Sequence, residues 1–330
     1  MLAIDTSPRR RPRRWPAALA LTLIVALVGT GGLLIAARRT VDKVGRISGL
    51  GDDLNRSSGS IENFLMVGSD SRAKGDPNTG VVDVSGGRSD TIMVLRRDKK
   101  SGDAALLSIP RDLYVEIPGH GTDRINSAYG YSPQTLLQTV RQTLDLPIHH
   151  YIEVDFSGFK DLVDAIGGVN LCFLIPTRDG NTGLNIPEPG CYHMDGTAAL
   201  GYARSRHYEE FIDGEWREDP TSDLGRTKRQ RAFINTALTT ALASLKTNPM
   251  KTGELITAIG KSVSVDSELD PIAAGSSLRS AMQDGVVSYS LPVTGKRVKG
   301  KDVLLLGENA EETLAYFRGT GPAPAADPKE

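Results

Sequence analysis

Histidine and cysteine are scarce in this chain: five and two residues among 330. Neither type clusters at metal-ligand spacing, which argues against a zinc centre. Net charge is also nearly absent. Thirty-nine Lys and Arg stand against 40 Asp and Glu, for a formal charge of −1, so the whole molecule has no electrostatic bias toward nucleic acid. No internal repeat is present. One stretch lacks charge altogether: "WPAALALTLIVALVGTGGLLIAA", Trp15 to Ala37, runs 23 residues. About 20 apolar residues suffice to cross the roughly 30 Å hydrocarbon layer of a bilayer, so this run reads as a transmembrane helix. Its end, "GGLLIAARR", lacks a small-x-small cleavage site, which favours an uncleaved anchor over a signal peptide. Five arginines in "RRRPRR" precede it and two follow. That imbalance predicts a cytoplasmic amino terminus and a body outside the cytoplasm on a single-pass anchor in the cell membrane. "RRRPRR" then serves as a topology signal or an anionic-lipid contact. Fourteen cytoplasmic residues cannot build a helix-turn-helix, which excludes a DNA-binding regulator.

An exported domain accounts for the two cysteines. Cys172 and Cys191 enclose a segment rich in glycine and proline, and a disulfide there is expected to restrict a flexible excursion. The expected divisions are a basic tail over 1–14, the anchor over 15–37, a polar Gly/Ser spacer over 38–60, a folded domain over 61–320 and a disordered tail over 321–330. Within the domain, "FLMV" at 64–67 reads as a buried strand. Two apolar runs joined by a Lys-Lys-Ser-Gly-Asp turn, Thr91–Leu95 and Ala104–Ile109, read as a hairpin. A helix broken near Gly130 to Pro133 carries Ser132 as N-cap. Strand 149–154, a helix ended by Gly167-Gly168, a helix capped by Asp195, and a long helix from about 223 to 246 follow. The glycines of "AIGGVN" follow a helix, so they read as a helix stop and not as a nucleotide loop. Residues 73–87 and 208–222 read as long loops. Strands alternating with helices predict an α/β fold, a three-layer α/β/α sandwich around a central mixed sheet, preceded by the one transmembrane helix.

Charged residues recur at the ends of these elements. Asp70 and Arg72 end the first strand. Arg88 and Asp90 open the hairpin and Arg111 closes it. The two-residue strand period places the start of its first strand and the end of its second at one sheet edge. Arg124 lies in "DRINSAYG", Arg204 and Arg206 in "YARSRH", and Arg226, Arg229 and Gln230 in "DLGRTKRQR", where 226 and 230 share a helix face. Guanidinium groups match phosphate oxygens bidentately and stay charged. Aspartates among them would repel an anion unless a divalent cation lies between. Mg²⁺ suits that position, since it takes one or two carboxylates plus substrate phosphates. His149 and His150 read as surface or hydrogen-bonded residues, and His207 as a weaker site candidate beside Arg204 and Arg206.

The runs "FLMVGSDSR", "GRSDTIMVL", "LLSIPRDLYVEIPG", "RINSAYGY", "DFSGFKDLVDAIGGV", "MDGTAALGYARSRH" and "DLGRTKRQR" resemble, in this order, the LytR–CpsA–Psr family over roughly residues 61–245. The resemblance implies a Mg²⁺-dependent phosphotransferase of cell-wall biogenesis. Such an enzyme takes a polyprenyl-pyrophosphate-linked glycopolymer of the teichoic-acid kind and attaches it to peptidoglycan through a phosphodiester, releasing polyprenyl phosphate. It implies a layered α/β/α sheet with an apolar groove for the polyprenyl chain. Carried over by residue, Asp70 and Asp90 would hold Mg²⁺. Arg88, Arg111, Arg204, Arg206 and Gln230 would bind pyrophosphate, with Arg124 and Arg226 in matching motifs. Asp90 and Arg111 carry the catalytic assignment. The loop between Asp70 and Asp90 is longer than the family's, which leaves Asp76 and Asp83 beside Asp70 as ligands. The segment "YEEFIDGEWREDPTS" is also extended, at a place where it would touch acceptor or donor polymer. Partners implied are the lipid-linked donor, peptidoglycan and the bilayer, without nucleic acid. Two other readings stay open, a hydrolase of the same pyrophosphate and a non-catalytic binder of lipid-linked precursors.

Overall fold

A computed structural model of the chain describes residues 44–57, 59–69, 89–220, 223–247, 257–258, 260–270 and 286–326. The expected anchor over 15–37 lies outside them, as do Asp70, Asp76, Asp83, Arg88 and the loop 73–87. Among the described residues no helix is long and apolar enough to cross a membrane.

Within the spacer expected over 38–60, the described residues 44–57 are built into the fold. Residues 45–47 form strand β1 (Gly45–Ile47) and a single 3-10 turn follows at Gly51–Asp53. Val44, Leu50 and Leu54 are buried, and the Asn55 carboxamide oxygen accepts from the Arg141 Nε and the Ile148 N–H. Glycine and serine dominate the composition here, but a few apolar side chains suffice for a sheet edge to capture the segment. Strands β2 (Ile61–Ser69), β3 (Ser89–Asp98) and β4 (Ala104–Ile109) then form the predicted meander, with β2 running longer than its apolar run. A ribbon of β5 (Tyr114–Ile117) and β6 (Gly121–Arg124) leads into helices α1 (Asn126–Tyr131) and α2 (Pro133–Thr143). These are the predicted two pieces: the Ser132 hydroxyl accepts from the Thr135 N–H at 2.9 Å and Pro133 opens the second helix.

Strand β7 (His150–Asp155) and helix α3 (Phe156–Ala165) come next. Gly167 and Gly168, at φ 87° and 78°, turn the chain out of α3 as the predicted helix stop. Their N–H groups bond the Asp164 and Val163 carbonyls. A smaller layer is built from β8 (Val169–Phe173), β9 (Thr177–Asp179), β10 (Leu184–Ile186) and β11 (Gly190–Met194). Cys172 and Cys191 stand directly opposite on β8 and β11 and are disulfide-bonded. The excursion that they close carries two short strands. Helix α4 (Gly196–Arg204) has its predicted Asp195 cap, which accepts from Ala198 at 2.8 Å.

The expected loop 208–222 is instead largely a hairpin, β12 (Glu209–Ile212) and β13 (Glu215–Glu218). Asp213 and Gly214 at its tip have φ 54° and 84°, the positive pair of a two-residue hairpin turn. Among the described residues, helix α5 (Asp223–Thr247), β14 (Val263–Asp266), β15 (Val287–Ser290), β16 (Val293–Val298), β17 (Lys301–Leu306) and α6 (Ala310–Arg318) follow.

Seven strands make one mixed sheet in the order β1-β14-β7-β2-β3-β4-β15. Its central strands are near-continuous apolar runs because both faces are covered. Leu65, Val67, Ile92, Val94 and Leu107 pack beneath α2 and α6, through Leu136, Val140, Leu314 and Phe317. Phe64, Met93 and Leu106 face the other way, toward Val265 and Ile234 of α5. The predicted mixed α/β fold with a central sheet is therefore observed, with helices on both faces. The smaller layer has its own core, in which Val169, Leu184 and Met194 meet Phe233 of α5.

Candidate functional site

Strand direction decides what meets at one edge of the central sheet. Ser69 stands opposite Ser89 on one neighbour and Asp155 on the other, and Ile92 opposite Ile109. The ends of β2, β4 and β7 and the start of β3 therefore share an edge, which Ser290 of β15 joins beside Ser108. Between Gly68 opposite Thr91 and Ser69 opposite Ser89 the register shifts, so Asp90 is an extra residue in β3. Such a bulge re-aims a strand end and is common beside active sites. Arg111 leaves the same edge two residues after Ile109. The expected convergence of Asp90 and Arg111 is thus what the register produces. Arg88 and Asp70 are outside the described residues and adjoin the paired Ser89 and Ser69 in the chain.

Arg204 ends α4 and its guanidinium lies 4.4 Å from the centre of the Phe156 ring. Phe156 follows Asp155, so this stacking brings Arg204 to the same edge. The residue is exposed, and among the described residues no carboxylate pairs with it. The turn after Arg204 is held by a carboxylate with no solvent exposure. Asp179 accepts from the Ser205 hydroxyl at 2.7 Å, from the Arg206 and His207 N–H groups at 3.1 Å each, and from the Asn181 N–H at 2.8 Å. Burial pushes the Asp179 carboxyl up, but the Ser205 hydroxyl and these N–H groups outweigh it and hold the pKa below the usual carboxylate range. Helix α5 braces the turn from behind. Gln230 donates to the Ala203 carbonyl at 3.0 Å, and Arg229 donates to the Ser205 carbonyl at 2.9 Å and to Asp219 at 2.8 Å. Gln230 and Arg226, one turn apart, are both buried. Arg231 donates to the Ser290 hydroxyl at the end of β15.

Arg124 reaches the site's flank through Asp112. Asp112 lies 3.7 Å from the Arg111 Nε and 3.3 Å from the Arg124 Nε, and Arg124 also donates to the Asp302 carbonyl at 2.6 Å. Arg124 is thereby tied to β17 as well as to the loop that carries Arg111. His207 pairs with Glu218 at 2.9 Å on the surface. His149 accepts from the Asn63 N–H and His150 lies 3.3 Å from Asp266, which is the hydrogen-bonded reading expected for both.

Sequence reasoning missed Glu153, Asp112 and Asp179. Glu153 accepts from the Ser69 hydroxyl at 3.0 Å, Tyr129 at 2.5 Å and Tyr151 at 3.0 Å. Burial, then the Glu153 charge, holds the Tyr151 phenol well above its usual range. This network fastens the end of β2, one residue before Asp70. Its only signal is a lone acid inside the apolar "YIEV" strand. Among the described residues no group of three His, Cys, Asp or Glu is arranged to hold a metal.

The LytR_cpsA_psr family profile matches residues 38–316. The chain belongs to that family. The probable cell wall biosynthesis protein LcpB of Corynebacterium glutamicum is 38% identical over 239 residues, which cover 70% of this chain and 54% of that protein. This chain therefore spans about half the length of that relative. The polyisoprenyl-teichoic acid–peptidoglycan teichoic acid transferase TagU of Oceanobacillus iheyensis is 29% identical over 315 residues, covering 90% of this chain and 91% of that one. The LytR-Csp2A-Psr enzyme from Actinomyces oris has the same fold, with a TM-score of 0.65 at 24% identity over 83% of this chain and 95% of its own. The family's sequence extent agrees with the structure in reaching back past β1, well before residue 61.

Proposed function

We propose that this protein is a phosphotransferase that moves a polyprenyl-pyrophosphate-linked glycopolymer of the teichoic-acid kind onto peptidoglycan, forming a phosphodiester and releasing polyprenyl phosphate. Family membership supports the reaction class, and the name of the TagU relative supports donor and acceptor. The observation that carries the reading is Arg204. It is an exposed guanidinium with no carboxylate partner among the described residues, at the sheet edge that also holds Asp90 and Arg111. A cation kept stacked and unneutralised is suited to receive an anion.

In this reading Arg111, Arg204 and Arg206 take the pyrophosphate oxygens, with Arg88 beside Ser89. Gln230 fixes the Ala203 peptide of the turn that carries Arg204, and Arg226 lies buried one helical turn before it on α5. Asp179 and Arg229 hold that turn in place, and Asp112 sets Arg111 relative to Arg124. Transfer of a phosphoryl group depends on positioning and on neutralising oxygen charge more than on covalent help from the protein. An acceptor sugar hydroxyl attacks the phosphorus nearest the donor sugar, its proton leaves to a carboxylate at Asp90 or Asp70, and polyprenyl phosphate departs. Asp70 and Asp90 each follow, in the chain, one member of the Ser69–Ser89 backbone pair, and two carboxylates at such sequence positions would suit a hard divalent cation such as Mg²⁺ shared with phosphate oxygens. When bound it would offset the charge of the pyrophosphate.

The membrane setting belongs to the same proposal. β1 pairs with β14 so that Gly45 lies beside Ser264, near the edge that carries the site. Six residues, 38–43, separate the apolar run from Val44, a reach of at most about 25 Å at roughly 3.5 Å per residue. A single-pass anchor with the domain on the outer side would therefore keep this edge toward the bilayer, where a polyprenyl-linked donor resides. A three-layer α/β/α sandwich with an apolar groove leading from the site is the matching architecture.

The test is incubation of the full chain in lipid nanodiscs with lipid-linked donor, peptidoglycan fragments and Mg²⁺, followed by mass analysis. The expected product is glycopolymer joined to the fragment through one phosphate. Free glycopolymer phosphate without attachment would replace this reading with a hydrolase, and an unchanged donor with a binding protein.

A further inference from the structure

The hairpin β12–β13 grows directly out of the arginine turn. It leaves at Arg206 and returns at Asp219, which Arg229 of α5 holds at 2.8 Å. With β9 and β10 it forms a four-stranded sheet in the order β10-β9-β12-β13. The register places Asn185, Arg178, Glu209 and Glu218 in one cross-strand row, and Phe211 opposite Trp216 beside it. Alternation points all six to one face. The other face buries Thr177, Asp179, Leu184 and Ile186, so this row is the solvent face.

The face is built and not merely exposed. The Phe211 and Trp216 rings lie 5.3 Å apart, and the Arg178 guanidinium lies 4.1 Å from the centre of the Trp216 ring while bonding Glu209 at 2.6 Å. Phe211 is nevertheless 40% exposed, an apolar ring presented to water beside an amide, a guanidinium and two carboxylates. Aromatic rings that offer a flat apolar surface, flanked by planar donors and acceptors, suit the C–H faces and hydroxyls of a sugar ring. Charge decides which glycan. On this face the two carboxylates Glu209 and Glu218 outnumber the one guanidinium, Arg178, which is itself bonded to Glu209. Such a row offers a polymer of phosphodiesters no free cation.

We propose that this sheet face binds the uncharged sugar backbone of the acceptor, a chain of N-acetylated hexosamines, and lays it beside the arginine turn. The proposal rests on the transferase reading in taking the acceptor as the occupant. Glycan binding is nevertheless measured without turnover, so its failure and the failure of that reading are separable.

The probe is a set of glycan strands freed of their peptide stems, titrated against the full chain in nanodiscs with Trp fluorescence as readout. Wild-type protein should show a saturable change. Phe211→Ala should weaken strand affinity about tenfold or more, the equivalent of about 1.4 kcal/mol, while Phe211→Tyr stays within about twofold of wild type because the flat ring is retained. Asn185→Ala, which removes an exposed side chain and leaves the aromatic pair intact, should weaken it by about threefold. Affinity for the lipid-linked donor should stay unchanged in all three. Absence of wild-type binding overturns the proposal. So does unchanged strand affinity in both alanine variants, or a loss of donor affinity in place of strand affinity.

Discussion

Replacing Asp179 by asparagine tests whether a buried anion positions the arginine turn. One carboxylate oxygen, Oδ2, accepts from the Ser205 hydroxyl and the Arg206 and His207 N–H groups, and Oδ1 accepts from the Asn181 N–H. Asparagine keeps the shape and one acceptor. Three bonds lose charge assistance, at about 1 kcal/mol each, and the fourth places an amide N–H against an N–H, a further 1–3 kcal/mol or so. The sum is about 4–6 kcal/mol, which a domain near the middle of the ordinary range, roughly 5–15 kcal/mol, survives. The damage should fall on the turn that carries Arg204 and Arg206, where a displacement of about 1 Å can cost on the order of 100-fold in rate.

Denaturant unfolding and transfer kinetics on the same preparation measure both quantities. The sign with pH follows from the depressed carboxyl. Asp179 stabilises the fold fully above its ordinary pKa of 3.8, and the contribution is lost as pH falls through the lower folded value. The gap between wild type and variant should therefore be constant from about pH 5 to 8 and narrow below about pH 4. A variant within about 1 kcal/mol of wild type that also transfers polymer at a normal rate would refute the anchoring role.

Three further outcomes are expected. Asp90→Ala should abolish transfer and weaken metal binding, whereas Arg111→Ala should weaken the lipid pyrophosphate and leave metal affinity nearly intact; Arg111→Lys should rescue only in part, because a point charge does not reproduce the bidentate fork. Near-normal transfer in both alanine variants, folded by circular dichroism, would remove the hairpin edge from the catalytic site. Cys172→Ser should cost on the order of 3 kcal/mol by the loop-entropy argument for a separation of 19 residues, read as a lower denaturation midpoint. Reporter fusions at the C-terminus should be active only outside the cytoplasm, and cytoplasmic activity would sink the proposed orientation.

Much of the fold was legible because its signals are local. The apolar runs of β2 to β4 are continuous since both sheet faces are covered. Ser132, Asp155 and Asp195 cap helices through their own nearby N–H groups, and Gly167-Gly168 stops α3 by adopting positive φ. The hairpin tip Asp213-Gly214 carried an equally local signal in "FIDGEW", which composition alone obscured. Of the site, the sequence determined that Asp90 and Arg111 share an edge, since two-residue periodicity fixes where a hairpin's ends meet. What only tertiary structure decided is long-range. Capture of β1 depends on β14, more than 200 residues away. The bulge at Asp90 depends on its partner strand, and Arg204 reaches the edge only by stacking on Phe156. Asp179 becomes the turn's anchor because β9 passes beneath it, and Glu153 gathers three hydroxyls from two other elements and its own strand. A charge in a sequence has no direction until packing supplies its neighbours. For that reason the charged residues at the element ends were visible in advance, and those that hold them in place were not.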